Sequence, residues 1–204
     1  MNTTFREENK LWKKGYRLVA CVDEAGRGPL AGPVVAAAVI ANSSLKSQIP
    51  NVKDSKKLTP QKREEIFKII KNHSQVKWAA GIVSEKVIDK INILEATKLA
   101  MKKALRKLKA DFIILDGNFT LKGLNTPQKA IIKGDEKVFS CALASIIAKV
   151  TRDKIMGKYH KKYSQYGFDI HKGYPTKKHI AAIRLYGPCK IHRLSFAPLK
   201  NMIK

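Results

Sequence analysis

Residues 22–33 read Val-Asp-Glu-Ala-Gly-Arg-Gly-Pro-Leu-Ala-Gly-Pro and lie between two short apolar runs, 18–22 and 34–40. Both runs are typical of buried strands. The glycines and prolines between them exclude regular structure and indicate a shaped loop, because proline cannot donate to a ladder and glycine permits unusual backbone angles. The acids Asp23 and Glu24 therefore stand where a buried strand ends.

Two acids in this position constrain the chemistry. If they are partly buried they repel each other and lose hydration, so the ionised pair needs a cation nearby. A solvated turn, in which Asp23 bonds its own backbone, is the simpler alternative. A dinucleotide-binding loop is excluded, because the glycines at 26, 28 and 32 lack the G-x-G-x-x-G spacing and a β-type run follows them.

Two later apolar runs also end in acid next to glycine. Residues 112–115 precede Asp116, and residues 130–132 precede Asp135. Because sites form at strand ends in α/β sheets, we expect these carboxylates to meet Asp23 and Glu24 and to hold Mg²⁺ or Mn²⁺, which prefer oxygen ligands. A turn or cap role is the alternative for each acid, and Asp153 is the alternative fourth ligand. Zinc is disfavoured, since the five histidines show no H-x-x-x-H spacing and no cysteine pair.

The pattern along the chain predicts an α/β fold. The predicted strands form a mixed sheet of about five, and the predicted helices lie near 59–71, 91–109, 138–161 and 176–185. Thr4 and Glu7 predict a capping box on an earlier helix. No repeat or linker is seen, so one domain is expected over residues 1–204, with a helical C-terminal part from about 138.

Composition favours a polyanionic partner. The chain carries 41 Lys+Arg against 16 Asp+Glu, a net charge of +25. Most of the basic residues are lysines, which can also reflect genome base composition or serve solubility. No apolar run reaches the roughly 18 residues needed to span a bilayer. Three cysteines without a C-x-x-C pair read as reduced thiols, so a cytoplasmic protein without membrane association is expected.

With these motifs the chain resembles ribonuclease HII, the type 2 class of ribonuclease H. The matching segments follow the family order over nearly the whole chain and are 22–34, Asp54-Ser-Lys-Lys-Leu, Leu-Asp116-Gly, Lys-Gly-Asp135, Ala144 to Asp153, His171-Lys-Gly-Tyr-Pro-Thr, Gly187 and Ile191 to Phe196. The resemblance implies a ribonuclease H-like fold. It also implies an endonuclease that cuts the RNA strand of RNA–DNA hybrids and cuts 5′ of ribonucleotides in duplex DNA, leaving 3′-hydroxyl and 5′-phosphate ends, as in ribonucleotide excision repair.

The resemblance also assigns site residues. It implies that Asp23, Glu24, Asp116 and Asp135 are the metal-binding and catalytic acids. Gly26, Arg27 and Gly28 match the loop that reads the ribose 2′-hydroxyl, the group that separates RNA from DNA. Tyr174 matches the tyrosine that stacks at the junction between ribonucleotide and deoxyribonucleotide. A plain core or turn tyrosine before Pro175 is the alternative.

Other residues carry weaker signals. Ser55, Lys56 and Lys57 are candidates for holding backbone phosphates, with a solvated lysine pair as the alternative. Ser145 and Lys149 share a helix face, as in a Ser–Lys hydrolase, but no oxyanion-hole loop accompanies them. Structural roles are favoured for His171, His192 and Arg193.

Two other functions stay open at this point. A non-catalytic basic nucleic-acid-binding protein would explain the charge, but it would gain nothing from anions placed where phosphates lie. Ribonuclease HIII shares the acids, although its usual extra N-terminal domain has no room before the first strand. We expect a monomer. The sequence leaves open the preferred metal, a sliding-clamp partner, and the preference between single ribonucleotides and long hybrids.

Overall fold

The computed structural model describes residues 3–49, 52 and 58–202. In this part of the chain a five-stranded sheet carries helices on both faces. The strands are β1 Val19–Ala25, β2 Val34–Ile40, β3 Lys77–Val83, β4 Phe112–Asp116 and β5 Gln128–Ile131. The helices are α1 Arg6–Lys13, α2 Leu45–Gln48, α3 Pro60–Asn72, α4 Glu85–Leu105, α5 Gly134–Lys137, α6 Phe139–Lys162, α7 Phe168–His171, α8 Lys177–Tyr186 and α9 Leu199–Met202.

The order of the strands decides where their ends lie. The order is β3-β2-β1-β4-β5, with β1, β4 and β5 parallel to one another and β2 antiparallel to both of its neighbours. Val22 of β1 lies opposite Leu115 of β4, so the residues that follow each of them are neighbours. The carboxyl ends of the three parallel strands therefore meet at one edge of the sheet.

Small side chains let helices pack closely on both faces of the sheet. Every residue of β2 is buried. Ala37 and Val39 point towards a core that contains the first turns of α6, while Ala36 and Ala38 point towards the core under α4. Because successive strand residues alternate between faces, the continuous apolar run fits a strand covered on both sides.

The predicted mixed sheet and its flanking helices are confirmed in the described residues, but two details differ. Helix α4 begins at Glu85, earlier than the predicted 91, and breaks at Asn92, whose φ is 64°. The side-chain oxygen of Asn92 accepts hydrogen bonds from the N–H groups of Leu94 and Glu95, as a cap does. The predicted start therefore corresponds to the second half of this helix.

The expected capping box on α1 is wrong. Phe5 occupies the N-cap position and makes no side-chain cap bond. The backbone of Thr4 instead bridges to the start of α6, accepting from the N–H of Phe139. Glu7 pairs with Lys10 and Lys129. The Thr4 side chain accepts from the N–H of Arg6 at 3.3 Å, but the reciprocal Glu7 contact that a capping box requires is not made.

Among the described residues, no helix combines the length and the apolar character that a membrane crossing requires.

Candidate active site

Three carboxylates meet at the edge where the parallel strands end. Asp23 lies late in β1, Asp116 is the last residue of β4, and Asp135 lies in the first turn of α5, just after β5. One oxygen from each of the three carboxylates lies within 4.8 Å of the other two. Asp23 and Asp135 are buried and Asp116 is half-buried. Residues that are more than a hundred positions apart in the chain thus share one point.

Neighbouring groups fix two of these carboxylates. The N–H of Gly134 donates to Oδ1 of Asp116 at 2.8 Å, and the N–H of Glu24 donates to Oδ1 of Asp23 at 2.6 Å. The Ser145 side chain, which comes from α6, also hydrogen bonds Asp23. Asp23 and Asp116 therefore have a defined orientation before any ligand arrives.

The electrostatics of this group fit a divalent cation. Burial raises the pKa of Asp23 well above its ordinary value, and the negative charges of Glu24 and Asp116 raise it further. Carboxylates this close repel one another unless a proton or a cation lies among them. Hard cations such as Mg²⁺ and Mn²⁺ take oxygen ligands from a few carboxylates together with waters. The donor set contains only oxygen and therefore suits these ions better than zinc.

Glu24 lies beside this group without belonging to it. Its Oε1 accepts from Nη1 of Arg27 at 3.3 Å. Both residues line a cavity of about 240 Å³, together with Asp23 and Asp116. Of the four acids predicted from the sequence, the structure brings three into close contact and places the fourth on the wall of the same cavity.

The glycine loop, residues 26–33, lines one side of this cavity. Its first two glycines, Gly26 and Gly28, have different surroundings. A side chain at Gly26, whose φ is +97°, would collide with the Arg152 side chain beneath the loop. A side chain at Gly28 would meet only Tyr174, at 3.8 Å. Gly26 therefore allows the loop to close over the interior, whereas Gly28 keeps the cavity side open.

Tyr174 closes the cavity on the other side. The residue is 41% exposed, which contradicts the alternative of a core tyrosine. The alternative of a turn tyrosine stays open, because the Tyr174 carbonyl accepts from the N–H of Thr176 at 2.8 Å. The ring centroid lies 6.0 Å from Nζ of Lys149 and 5.9 Å from Cζ of Arg152. An exposed aromatic face between a cation and the acid group can stack on a base or a sugar.

Helix α6 supplies the wall below Tyr174. Lys149 lines the cavity and pairs with Asp153 at 2.7 Å, and burial lowers the lysine pKa. Asp153 is not one of the three converging acids. This geometry does not favour Asp153 as the alternative metal ligand. Ser145 bonds Asp23 while Lys149 bonds Asp153. The structure therefore gives no support to a Ser–Lys hydrolase pair.

Three buried histidines support the backbone around Tyr174. Nδ1 of His171 accepts from the N–H of Gly173 at 3.1 Å, and Nδ1 of His179 lies 2.9 Å from the Tyr174 carbonyl. The two Nε2 atoms of His179 and His192 are 3.1 Å apart. The structural roles that the sequence favours for His171 and His192 agree with this burial.

Ser55, Lys56 and Lys57 lie outside the described residues, so their predicted phosphate contacts stay predictions. Sequence reasoning singled out neither Arg152 nor the support that Arg193 gives to the loop. For Arg152, the sequence signal that could have identified it is its spacing from Ser145 and Lys149, which places all three residues on one helix face.

Comparison with known proteins agrees with this geometry. The family model described as Ribonuclease HII matches residues 20–199. The ribonuclease HII of Caldicellulosiruptor bescii is 51% identical over 201 residues, covering 98% of this chain and 95% of that protein.

Two solved structures are also similar. The ribonuclease H2 of Pyrococcus horikoshii OT3 has a TM-score of 0.72 and 29% identity, over 91% of this chain and 97% of that one. The ribonuclease HII of Archaeoglobus fulgidus, solved in a complex with PCNA, has a TM-score of 0.75 and 26% identity, over 88% and 95%.

Proposed function

The chain belongs to the ribonuclease HII family and is a ribonuclease H, and from this premise we propose that it cuts 5′ of a ribonucleotide embedded in duplex DNA. We propose that it also cuts the RNA strand of RNA–DNA hybrids, and that both reactions leave 3′-hydroxyl and 5′-phosphate ends. The observation that carries this proposal is the convergence of Asp23, Asp116 and Asp135 within 4.8 Å, beside a loop and a tyrosine placed to contact a sugar. We further propose that residues 1–204 form one catalytic domain.

The metal ligands in this proposal are Asp23, Glu24, Asp116 and Asp135, with Mg²⁺ or Mn²⁺ as the ion. Divalent cations bound there would supply an activated water and stabilise the charge on the leaving 3′ oxygen. The protein's own contribution is to hold the acids in place. The N–H groups of Glu24 and Gly134 each fix one carboxylate oxygen, so no reorganisation is needed when the substrate arrives.

The substrate phosphate is attracted by positive charge at the cavity wall. Arg27 and Lys149 both line the cavity, and the whole chain carries a net charge of +25. Because neutralising phosphates releases counterions, this charge supplies affinity for any duplex. It supplies no ribose selectivity, which needs a contact with the 2′-hydroxyl.

Ribose selectivity is assigned to the loop at 26–28 and to Tyr174. Gly28 lies beside the Tyr174 ring, which a methyl group at this position would touch at 3.8 Å, so the bare loop backbone and the ring form adjoining walls of the cavity. The N–H groups of Arg27 and Gly28 have no acceptor among the described residues and can bind oxygen atoms of the ribonucleotide. Tyr174 can then stack on the adjoining nucleotide.

A cleavage assay tests this function. The substrates are a DNA duplex with one embedded ribonucleotide, an RNA–DNA hybrid and an all-DNA duplex of the same sequence. We expect the first two to be cut, with activity lost in EDTA and regained with excess Mg²⁺ or Mn²⁺. A non-catalytic basic binding protein would instead bind all three duplexes and cut none.

The substitution Asp116→Asn separates catalysis from binding. It removes one negative ligand but keeps the side-chain shape and the acceptor for the Gly134 N–H. We expect cleavage to fall by about a thousandfold or more, in line with the loss of a group used in the transition state, while duplex affinity is retained. Turnover at the unsubstituted rate would contradict the assigned role of Asp116.

A further inference from the structure

Two arginines are completely buried beneath the glycine loop. Arg152 of α6 is 1% exposed and Arg193 is 0% exposed. All of their acceptors are backbone carbonyl oxygens. Arg152 donates to Ala31, Pro33 and Lys172, each at 3.0 Å, and Arg193 donates to Gly26, Arg27 and Gly32 at 2.7 to 3.0 Å.

Burying these charges is expensive. In the part of the chain that the structure describes, no carboxylate lies within 4.0 Å of either guanidinium. Burial lowers the pKa of Arg152 to about 10 and that of Arg193 to about 9. A buried ion costs several kcal/mol, and apolar side chains of similar volume often replace it without loss of stability. A role in packing alone therefore does not account for two such residues at one place.

The carbonyl contacts fix the direction of the loop's N–H groups. Arg193 holds the carbonyls of Gly26 and Arg27 on the interior side. Because the peptide unit is planar and trans, the N–H of the next residue points the opposite way from each carbonyl. The N–H groups of Arg27 and Gly28 therefore point away from the interior, on the side of the loop that lines the cavity.

Arg152 connects this loop to the segment that carries Tyr174. One guanidinium bonds the Ala31 and Pro33 carbonyls on the loop and the Lys172 carbonyl two residues before the tyrosine. The N–H of Leu30 also donates to the Gly173 carbonyl at 2.8 Å. The loop and the segment that carries the tyrosine are thus joined by one planar guanidinium and one backbone hydrogen bond.

We propose that Arg152 and Arg193 are positioning residues for ribose recognition, which hold the N–H donors of the 26–28 loop and the ring of Tyr174 in one preset arrangement around the sugar. This proposal rests on the proposed function, since it names what orients the groups that read the ribonucleotide. In this proposal, neither arginine contacts the substrate or the catalytic acids.

The test measures ribose discrimination in binding. Proteins carrying Asp116→Asn, which prevents cleavage, are titrated with a duplex containing one ribonucleotide and with the identical all-DNA duplex, in Mg²⁺. Adding Arg152→Lys keeps the positive charge but removes the planar guanidinium that bonds three carbonyl oxygens at once. We expect affinity for the all-DNA duplex to be retained and the preference for the ribonucleotide to fall about tenfold, because recognition geometry is sensitive to shifts of about 1 Å.

A matched control separates positioning from mere loss of stability. Met101 of α4 is fully buried in the core on the face of the sheet opposite α6. Met101→Ala should lower the melting temperature, because it leaves a cavity in the core, and should leave the ribonucleotide preference unchanged. If Arg152→Lys retains the full preference, or if Met101→Ala loses it equally, the positioning role is overturned.

Cleavage by the unsubstituted protein is measured in the same series. If that protein cuts the ribonucleotide duplex while Arg152→Lys keeps its preference, only the positioning proposal fails. If the unsubstituted protein cuts neither ribonucleotide substrate, the proposed function fails and the positioning role fails with it.

Two further measurements apply if Arg152→Lys does not fold. Arg193→Lys tests the other half of the arrangement with the same duplexes. Hydrogen exchange on the unsubstituted protein needs no variant. The N–H groups of Leu30 and Gly32 donate to the carbonyls of Gly173 and Ile191, so a preset loop predicts exchange as slow as in β1 before any duplex is added. Rapid exchange that slows only on binding would overturn the proposal.

Discussion

Acid should destabilise the protein through the histidines buried behind Tyr174. His179 and His192 are held at a pKa of about 4, chiefly because burial disfavours the charged ring, and burial also lowers the pKa of His171. Since the unfolded chain binds protons nearer pH 6.5, it takes up more protons than the folded protein between about pH 6.5 and 4. Stability is therefore fully present above about pH 6.5 and is lost as the pH falls through that range.

The hydrogen bonds explain why these rings resist protonation. His192 accepts from the N–H of Cys189 on Nδ1, so its Nε2 carries the hydrogen and donates to Nε2 of His179. His179 must then be protonated on Nδ1, which donates to the Tyr174 carbonyl. A second proton on His179 would place two N–H donors face to face at 3.1 Å.

The expected loss follows from these pKa values. At about pH 5, each ring costs the folded state about 2 kcal/mol relative to about pH 7.5. The loss is about 3 kcal/mol if protonating one ring opens the group, because the cost of opening then limits it, and about 4 kcal/mol if both act separately. Either value is a large part of the 5 to 15 kcal/mol by which proteins of this kind are stable, roughly.

Urea unfolding at several pH values, followed by circular dichroism, measures the effect. Asp23 and Glu8, whose pKa values are raised chiefly by burial, oppose this loss, so the comparison is between variants. His192→Gln should lower stability at neutral pH but flatten its dependence on pH. If His192→Gln keeps the pH dependence of the unsubstituted protein, the assignment to these rings is wrong.

Three further substitutions probe the loop and the core. Gly28→Ala should leave the melting temperature unchanged and weaken cleavage of a ribonucleotide duplex by about tenfold, because its methyl group enters the space facing Tyr174. Gly26→Ala should instead cost about 1 to 3 kcal/mol of stability, because φ is positive there and Arg152 fills the space; melting curves and cleavage rates of the two variants distinguish these outcomes. Glu8→Gln should raise the melting temperature by about 3 °C at neutral pH, because burial raises the pKa of Glu8 and makes its charged form costly as the pH rises, while the amide can still accept from the N–H of Ser140. An unchanged or lower melting temperature would contradict that account of Glu8.

Local pattern was sufficient for most of the secondary structure. Strands β1, β2 and β4 are built on continuous apolar runs, and such runs have few alternatives once both faces are covered. β5 is Gln128–Ile131, which begins earlier than the apolar run 130–132. The predictions that failed were based on local sequence signals alone. Thr4 and Glu7 were expected to form a capping box on α1, but Glu7 pairs with Lys10 and Lys129, and the period of α4 did not reveal the turns before Asn92.

The site divides in the same way. Asp23, Asp116 and Asp135 could be chosen from sequence because each ends an apolar run, and a parallel sheet brings such ends together. The partners of Ser145 and Lys149 could not be chosen, since both lie on one helix face and the sequence does not say which acid each one meets. In the structure, Ser145 hydrogen bonds Asp23 and Lys149 hydrogen bonds Asp153.

The sequence by itself determined that acids would stand at strand ends beside a glycine loop, because those features depend on residue type and spacing along the chain. Only the tertiary structure decided what lies under the loop. Arg152 and Arg193 come from segments well over a hundred residues away and bond carbonyl groups, which every residue possesses. A hydrogen bond to a backbone carbonyl does not depend on which side chain the acceptor residue carries. The sequence therefore contains no pattern from which these contacts could be predicted.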